Sequence, residues 1–327
     1  MSMKAEAFWL AEPGRGEIRP VTLPDPGPDD VLVRTLHSGV SRGTETLVFR
    51  GGVPESQHEV MRAPFQEGDF PAPVKYGYLN VGVVEQGALA GRTVFSLFPH
   101  QTRFVVPASA VTVVPDQVPP ARAVLAGTVE TALNGLWDAA PLIGDRIAVV
   151  GAGMVGASVA AILSKFPGAR VQLVDANPER ASLAAALGVD FALPSDAAGD
   201  CDLVIHASAT AAGLTRSLEL LAPEGTVVEL SWYGDREVTV PLGEFFHSRR
   251  LVVKSSQVGG IAPARRGRRT YADRLATALD LLADPVFDAL LTGESAFAAL
   301  PEVMPKLTSG ELPALCHLIT YDDKAGE

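Results

Sequence analysis

The chain has 327 residues, 47% of them hydrophobic and 20% charged, with a formal net charge of −11. That size and composition suit a globular protein of two domains, and the acidic balance disfavours nucleic acid and anionic membranes as partners. Two cysteines, Cys201 and Cys316, are too few for a disulfide framework or a cysteine-rich zinc site; no apolar run reaches the roughly 18 residues of a membrane span, and the first residues lack a secretory signal, so a cytoplasmic location is expected.

Up to about residue 114, short runs rich in β-branched residues (31–36, 81–85, 92–98, 102–106 and 111–114) alternate with Pro and Gly and predict a mostly β, barrel-like domain. Residues 115–120 (PDQVPP) read as a linker, since neither strand nor helix continues easily through three prolines. From residue 121 strands and helices alternate. A buried-type strand over 146–150 leads into a helix over 154–166, with Val155, Val159, Ile162 and Leu163 on one apolar stripe. A strand over 169–174 follows, and Asn177 and Pro178 open a helix that Gly188 ends. Strands over 202–207, 226–230 and 251–254 complete the series, with a helix marked by Leu214, Leu218 and Leu221. This alternation predicts an α/β fold, a doubly wound parallel sheet over 121–260. A helix over 271–282 and a last strand over 315–321 are expected to return to the β-rich domain, which would then comprise 1–120 and 261–327.

Gly151-Ala152-Gly153-Met154-Val155-Gly156 fits G-x-G-x-x-G and stands between a predicted strand and a predicted helix, the context that gives the motif meaning. Gly151 permits the tight turn, Gly153 opens the backbone to a pyrophosphate, and Gly156 lets helix and sheet approach; the N–H groups at Met154 and Val155 face the phosphates. Asp175 ends the next strand, where a carboxylate bonds the adenosine ribose hydroxyls and repels the 2′-phosphate of NADP, so NAD is the expected cofactor. Arg180 lies close enough that a phosphate could still be tolerated. Ala207, Ser208 and Ser231 close two later strands, at the end of the sheet where ligands bind in such folds. His206, Trp232 and Tyr233 stand beside them, as a base and cleft walls or as ordinary packing.

The order of β-rich domain, linker, Rossmann domain and short return segment resembles the medium-chain dehydrogenase/reductase superfamily over essentially the whole chain, of the zinc-type alcohol dehydrogenase kind. Three stretches carry the likeness: Gly39-Val40-Ser41-Arg42-Gly43-Thr44-Glu45, Gly77-Tyr78-Leu79-Asn80-Val81-Gly82, and Gly144-Asp145-Arg146. The resemblance implies a GroES-like barrel for the first domain, hydride transfer between nicotinamide and an alcohol or carbonyl, and a homodimer formed through the edge at 251–255. Sedimentation as a 34.3 kDa monomer alone would remove that last expectation.

The chain departs from the family where zinc would bind. Ser41 or Arg42 replaces the ligand cysteine, Tyr78 and Leu79 replace the histidine and glutamate, 127–131 has no cysteine, and the four-cysteine loop is missing. His37, His58, His100, His206, His247 and His317 show no paired spacing, so no metal is expected. Another group must then protonate or stabilise the substrate oxygen. Tyr78 takes the place of a metal ligand, Thr44 matches the hydroxyl that relays protons in the zinc enzymes, and Glu130 falls in a segment that in the family lines the nicotinamide side of the cleft. Each has a plainer reading: a packed strand residue, a turn hydroxyl, and a carboxylate at a helix N-terminus. Arg265, Arg266, Arg268 and Arg269 form a basic run that either clamps a substrate anion or is a solvated loop. Two alternatives stand beside the dehydrogenase: an NADPH-dependent quinone or enone reductase, and a non-catalytic NAD-binding protein.

Overall fold

A computed structural model describes residues 3–322. The chain divides into two compact units, Met1–Gly127 with Leu291–Glu327, and Thr128–Leu290.

In the first unit, a seven-stranded sheet places Leu291–Ala296, Cys316–Thr320, Asp30–Ser41, Asn80–Gln86, Thr93–Ser96 and Val111–Val113 side by side, with Arg103–Pro107 also paired to Asp30–Ser41. All its pairs are antiparallel except that between Leu291–Ala296 and Cys316–Thr320. Alternation along Asp30–Ser41 turns Val31 and Val33 inward, where they meet Val84, Val94, Phe98, Phe104 and Val106. A four-stranded sheet joins Arg15–Thr22, Lys4–Glu12, Val74–Lys75 and Glu67–Gly68. Two helices of this unit, Arg42–Phe49 and Leu300–Ser309, lie outside the elements the sequence announced.

The second unit carries six parallel strands in the order Asp190–Ala192, Arg170–Val174, Arg146–Val150, Cys201–His206, Leu221–Glu229, Val252–Ser255. Counted along the chain this is 3-2-1-4-5-6, the Rossmann order. Val149, Leu173, Val204, Ile205, Val227 and Val228 are fully buried, as strands covered by helices require. The helix after the first strand runs Met154–Leu163, and its burial corrects the expected stripe: Met154, Gly156, Ala157, Ser158, Val159, Ala160, Ala161 and Leu163 are buried, whereas Val155 and Ile162 are only partly so. Small residues on most faces let this helix sink between sheet and neighbours. Gly188 ends the helix Arg180–Leu187 in the left-handed conformation, φ 73°.

The return to the first unit comes at Leu291, not at 261. The helix Tyr271–Leu281 stays with the parallel sheet because its buried Arg274 is pinned there. Its guanidinium donates to Glu130 Oε1 (3.0 Å), Asn134 Oδ1 (2.7 Å) and the Val258 carbonyl (2.6 Å).

Candidate active site

The first strand of the parallel sheet ends at Val150, and Gly151 turns the chain with φ +107°. A Cβ on Gly151 would lie 2.6 Å from the Ser208 backbone nitrogen, and one on Gly156 would lie 1.9 Å from the Gly151 carbonyl oxygen. Both contacts exclude any side chain. A Cβ on Gly153 would meet nothing within 4 Å, and no side chain caps the helix it opens. The turn therefore presents free N–H groups at Met154 and Val155 and open space above them, which fits a pyrophosphate. Asp175 faces this turn: its carboxylate accepts from Ala152 N (2.7 Å) and Asn177 N (2.9 Å). Arg180 begins the following helix, five residues on, in line with Asp175 rather than with the glycines.

At the ends of the fourth and fifth strands, a polar network joins the loop beside the glycine turn to the next loop along the sheet. His206 is fully buried, with Nδ1 2.7 Å from Glu229 Oε2 and Nε2 2.6 Å from Ser208 Oγ. Tyr233 donates its hydroxyl proton to Glu229 Oε2 (2.9 Å), and Ser231 N donates to Glu229 Oε1 (2.7 Å). Ser231 Oγ accepts from Ala209 N, which has φ +52°, and so holds a strained residue in place. Burial acts to raise the Glu229 carboxyl, yet His206 and Ser231 outweigh it and hold the group below the ordinary carboxylate range. Tyr233 is thus occupied by Glu229, while Trp232 is half-buried beside it with no polar partner described.

In the first unit Tyr78 is brought together with Ser41 and Thr44. Thr44 lies in the first turn of helix Arg42–Phe49, Ser41 is its N-cap residue, and the hydroxyls of both lie close enough to act on the Tyr78 phenol. Burial first, and then the Glu45 carboxylate, push that phenol up to about 12, although the two hydroxyls pull it down. Beneath it lies a buried chain that the sequence reading missed. Glu45 Oε1 accepts from Ser41 N (2.7 Å), its Oε2 meets His100 Nε2 (2.9 Å), His100 Nδ1 meets Ser38 Oγ (2.7 Å), and Ser38 Oγ meets the Tyr321 hydroxyl (2.8 Å). The 50–70 segment is anchored here through Phe70, whose ring packs on Tyr76 at 5.7 Å, while Tyr76 meets Tyr78 edge-on at 6.0 Å.

Glu130 is buried and forms an ion pair with Arg274 at 3.0 Å. Desolvation raises its carboxyl, and Arg274 only partly opposes this. Arg265, Arg266, Arg268 and Arg269 are exposed in a turn-rich loop, with Arg265 6.0 Å from the Trp137 ring. Among the described residues no group of three or more His, Cys, Asp or Glu side chains is arranged to hold a metal ion. The side chains of Ser41, Thr44 and Tyr78 do not fit zinc, which takes thiolate, imidazole or carboxylate. Among the same residues, no helix is long and apolar enough to cross a membrane.

Residues 155–284 match the family model described as zinc-binding dehydrogenase. An alcohol dehydrogenase of Cupriavidus necator is 25% identical over 299 aligned positions, covering 74% of this chain and 80% of that protein. L-idonate 5-dehydrogenase of Escherichia coli superposes with a TM-score of 0.80 at 16% identity, over 98% of this chain and 99% of its own. A zinc-binding dehydrogenase structure from Sinorhizobium meliloti, bound to NADP, does so with a TM-score of 0.76 at 20% identity, over 97% and 99%. Residues 155–284 thus resemble the zinc-binding dehydrogenase family, and the chain as a whole is similar in sequence to alcohol dehydrogenases and shares the fold of these dehydrogenases.

Proposed function

We propose that the protein is an NAD(H)-dependent oxidoreductase that interconverts an alcohol and a carbonyl compound without zinc. The observation that carries this reading is the Tyr78 phenol close to Ser41 and Thr44, in stretches that resemble the metal-ligand segments of the zinc enzymes. Gly151, Gly153, Met154, Val155 and Gly156 would hold the pyrophosphate and Asp175 the adenosine ribose, with Arg180, Ala207, Ser208 and Ser231 completing the binding surface. When bound, the nicotinamide supplies or accepts the hydride.

The protein's part is to handle the proton. A phenol that titrates near 12 is protonated at neutral pH, so it donates a hydrogen bond to a carbonyl oxygen and then its proton as the carbon is reduced. Thr44 and Ser41 are placed to return a proton to Tyr78 afterwards. This favours the reductive direction, because oxidation of an alcohol at neutral pH would need the phenolate. Glu130, fixed by Arg274, keeps the helix under it in place and takes no proton from substrate. Asp175 supports NADH over NADPH through its negative charge, and the exposed apolar edge residues Val252 and Val253 support a homodimer.

Turnover of NADH with a panel of aldehydes, ketones and enones, on protein stripped of metal, tests this. Carbonyl reduction should survive chelation, and Tyr78→Phe should lower kcat about 10²-fold or more with NADH affinity unchanged. Activity that vanishes on chelation and returns with zinc would overturn the reading, and turnover of enones alone would move the hydride acceptor to a C=C bond.

A further inference from the structure

The polar network around His206 is closed in every direction but one. The Glu229 carboxylate receives Ser231 N at Oε1 and the Tyr233 hydroxyl at Oε2, and a carboxylate can only accept. The atom facing it at 2.7 Å, His206 Nδ1, must therefore carry a proton. In the neutral ring Nε2 is then bare and takes the proton of the Ser208 hydroxyl, 2.6 Å away. Thr210 Oγ1 accepts from Gly213 N (3.0 Å), which leaves its own proton to be donated to Ser208 Oγ at 2.9 Å. All side-chain protons of the network then point towards Glu229: Thr210 to Ser208, Ser208 to His206, His206 to Glu229, and Tyr233 to Glu229. Ser208 Oγ, in a half-buried residue, keeps a single unused capacity, one lone pair.

Ser208 stands where that polarity matters. Val150 and His206 are partners on adjacent parallel strands, and the loops that follow them, Gly151 and Ala207–Ser208, touch across the crevice at which the strand order reverses. Dinucleotides bind at this switch point in doubly wound sheets. We infer that His206 is a positioning residue that turns Ser208 into an obligate hydrogen-bond acceptor there, so that Ser208 receives a donor group of the dinucleotide, a ribose hydroxyl, and offers no proton to its phosphates. The inference rests on the dinucleotide reading of the site and adds to it the polarity of one contact and the pair, Glu229 and His206, that sets it.

Three proteins and two measurements test it. Wild type, Ser208→Ala and His206→Asn are titrated with NADH, and each is labelled with ¹⁵N-histidine for the ring-nitrogen signals. Asn keeps an N–H for Glu229 but offers Ser208 no bare ring nitrogen; Ser208→Ala, at a half-buried loop position, keeps the measurement meaningful if His206→Asn fails to fold. Wild type should show one neutral histidine protonated at Nδ1 with Nε2 bare, a signature absent from His206→Asn. Ser208→Ala should weaken NADH binding about tenfold, ~1.4 kcal/mol, and His206→Asn to a similar degree. An imidazolium signal for His206, or NADH affinity unchanged in Ser208→Ala, overturns the inference while leaving the dinucleotide site standing. A wild-type protein that binds neither NADH nor NADPH overturns the site itself and the inference with it.

Discussion

Tyr78 shows how one residue can carry most of a functional argument. Its place in the chain follows from Gly77-Tyr78-Leu79, but its chemistry follows from three neighbours: Ser41, Thr44 and Glu45. Burial and the Glu45 carboxylate raise the phenol, so the folded protein keeps its proton in a pH range where the unfolded chain would lose it. The stability this group contributes is complete below about pH 10 and is lost as the pH rises towards 12. An ultraviolet phenolate titration of wild type minus Tyr78→Phe should therefore place the difference signal near pH 12; a signal at 10 would show the phenol open to water and unshifted. The same scale separates what could be read in advance from what could not. Gly151 and Gly156 were legible because a turn and a close contact each demand glycine at one spacing, and Asp175 lies beside that turn, its carboxylate on Ala152 N. The partners Glu45 with His100 and Ser38 with Tyr321 lie 55 and 283 residues apart, and no local spacing announces such pairs.

Elements were legible where the pattern repeats and obscure where it is short or interrupted. Four of the six parallel strands form within a residue of the expected runs; Leu221–Glu229 begins five residues before the expected 226, taking in Leu221 from the expected helix, and Asp190–Ala192 was not announced. Lys4–Glu12 alternates only at its start, where Ala5 and Ala7 are buried; Phe8 and Leu10, of the other parity, are buried as well, so the signal is weak. Helix Leu300–Ser309 contains Pro305 in its interior, a residue that argues against a helix locally. The helix Tyr271–Leu281 was correctly expected but assigned to the wrong unit, because its anchor is the Arg274 ion pair with Glu130, 144 residues away. Removing that anchor leaves a buried carboxylate alone. Arg274→Met should cost about 3–5 kcal/mol in a denaturant titration, and adding Glu130→Gln should recover part of it. If Arg274→Met lies within about 0.5 kcal/mol of wild type, the pair does not hold this helix.

For the whole molecule, the outline came from the change of texture near residue 120, and the structure moves the unit boundary only to residue 127. The later boundary, at Leu291, was out of reach because Tyr271–Leu281 has the same amphipathic helix pattern in either unit. The likeness to the family model lies in the parallel-sheet unit, over residues 155–284, whereas Tyr78 with Ser41 and Thr44 lies in the other unit. The account therefore stands first on the dinucleotide, since without it Tyr78 has no hydride to accompany. Isothermal titration of the metal-free protein with NADH and NADPH is the direct test. The account expects NADH to bind at least about tenfold more tightly than NADPH, ~1.4 kcal/mol, because the Asp175 carboxylate faces the glycine turn. Tighter binding of NADPH would contradict the role given to Asp175, and binding of neither would contradict the account at its base.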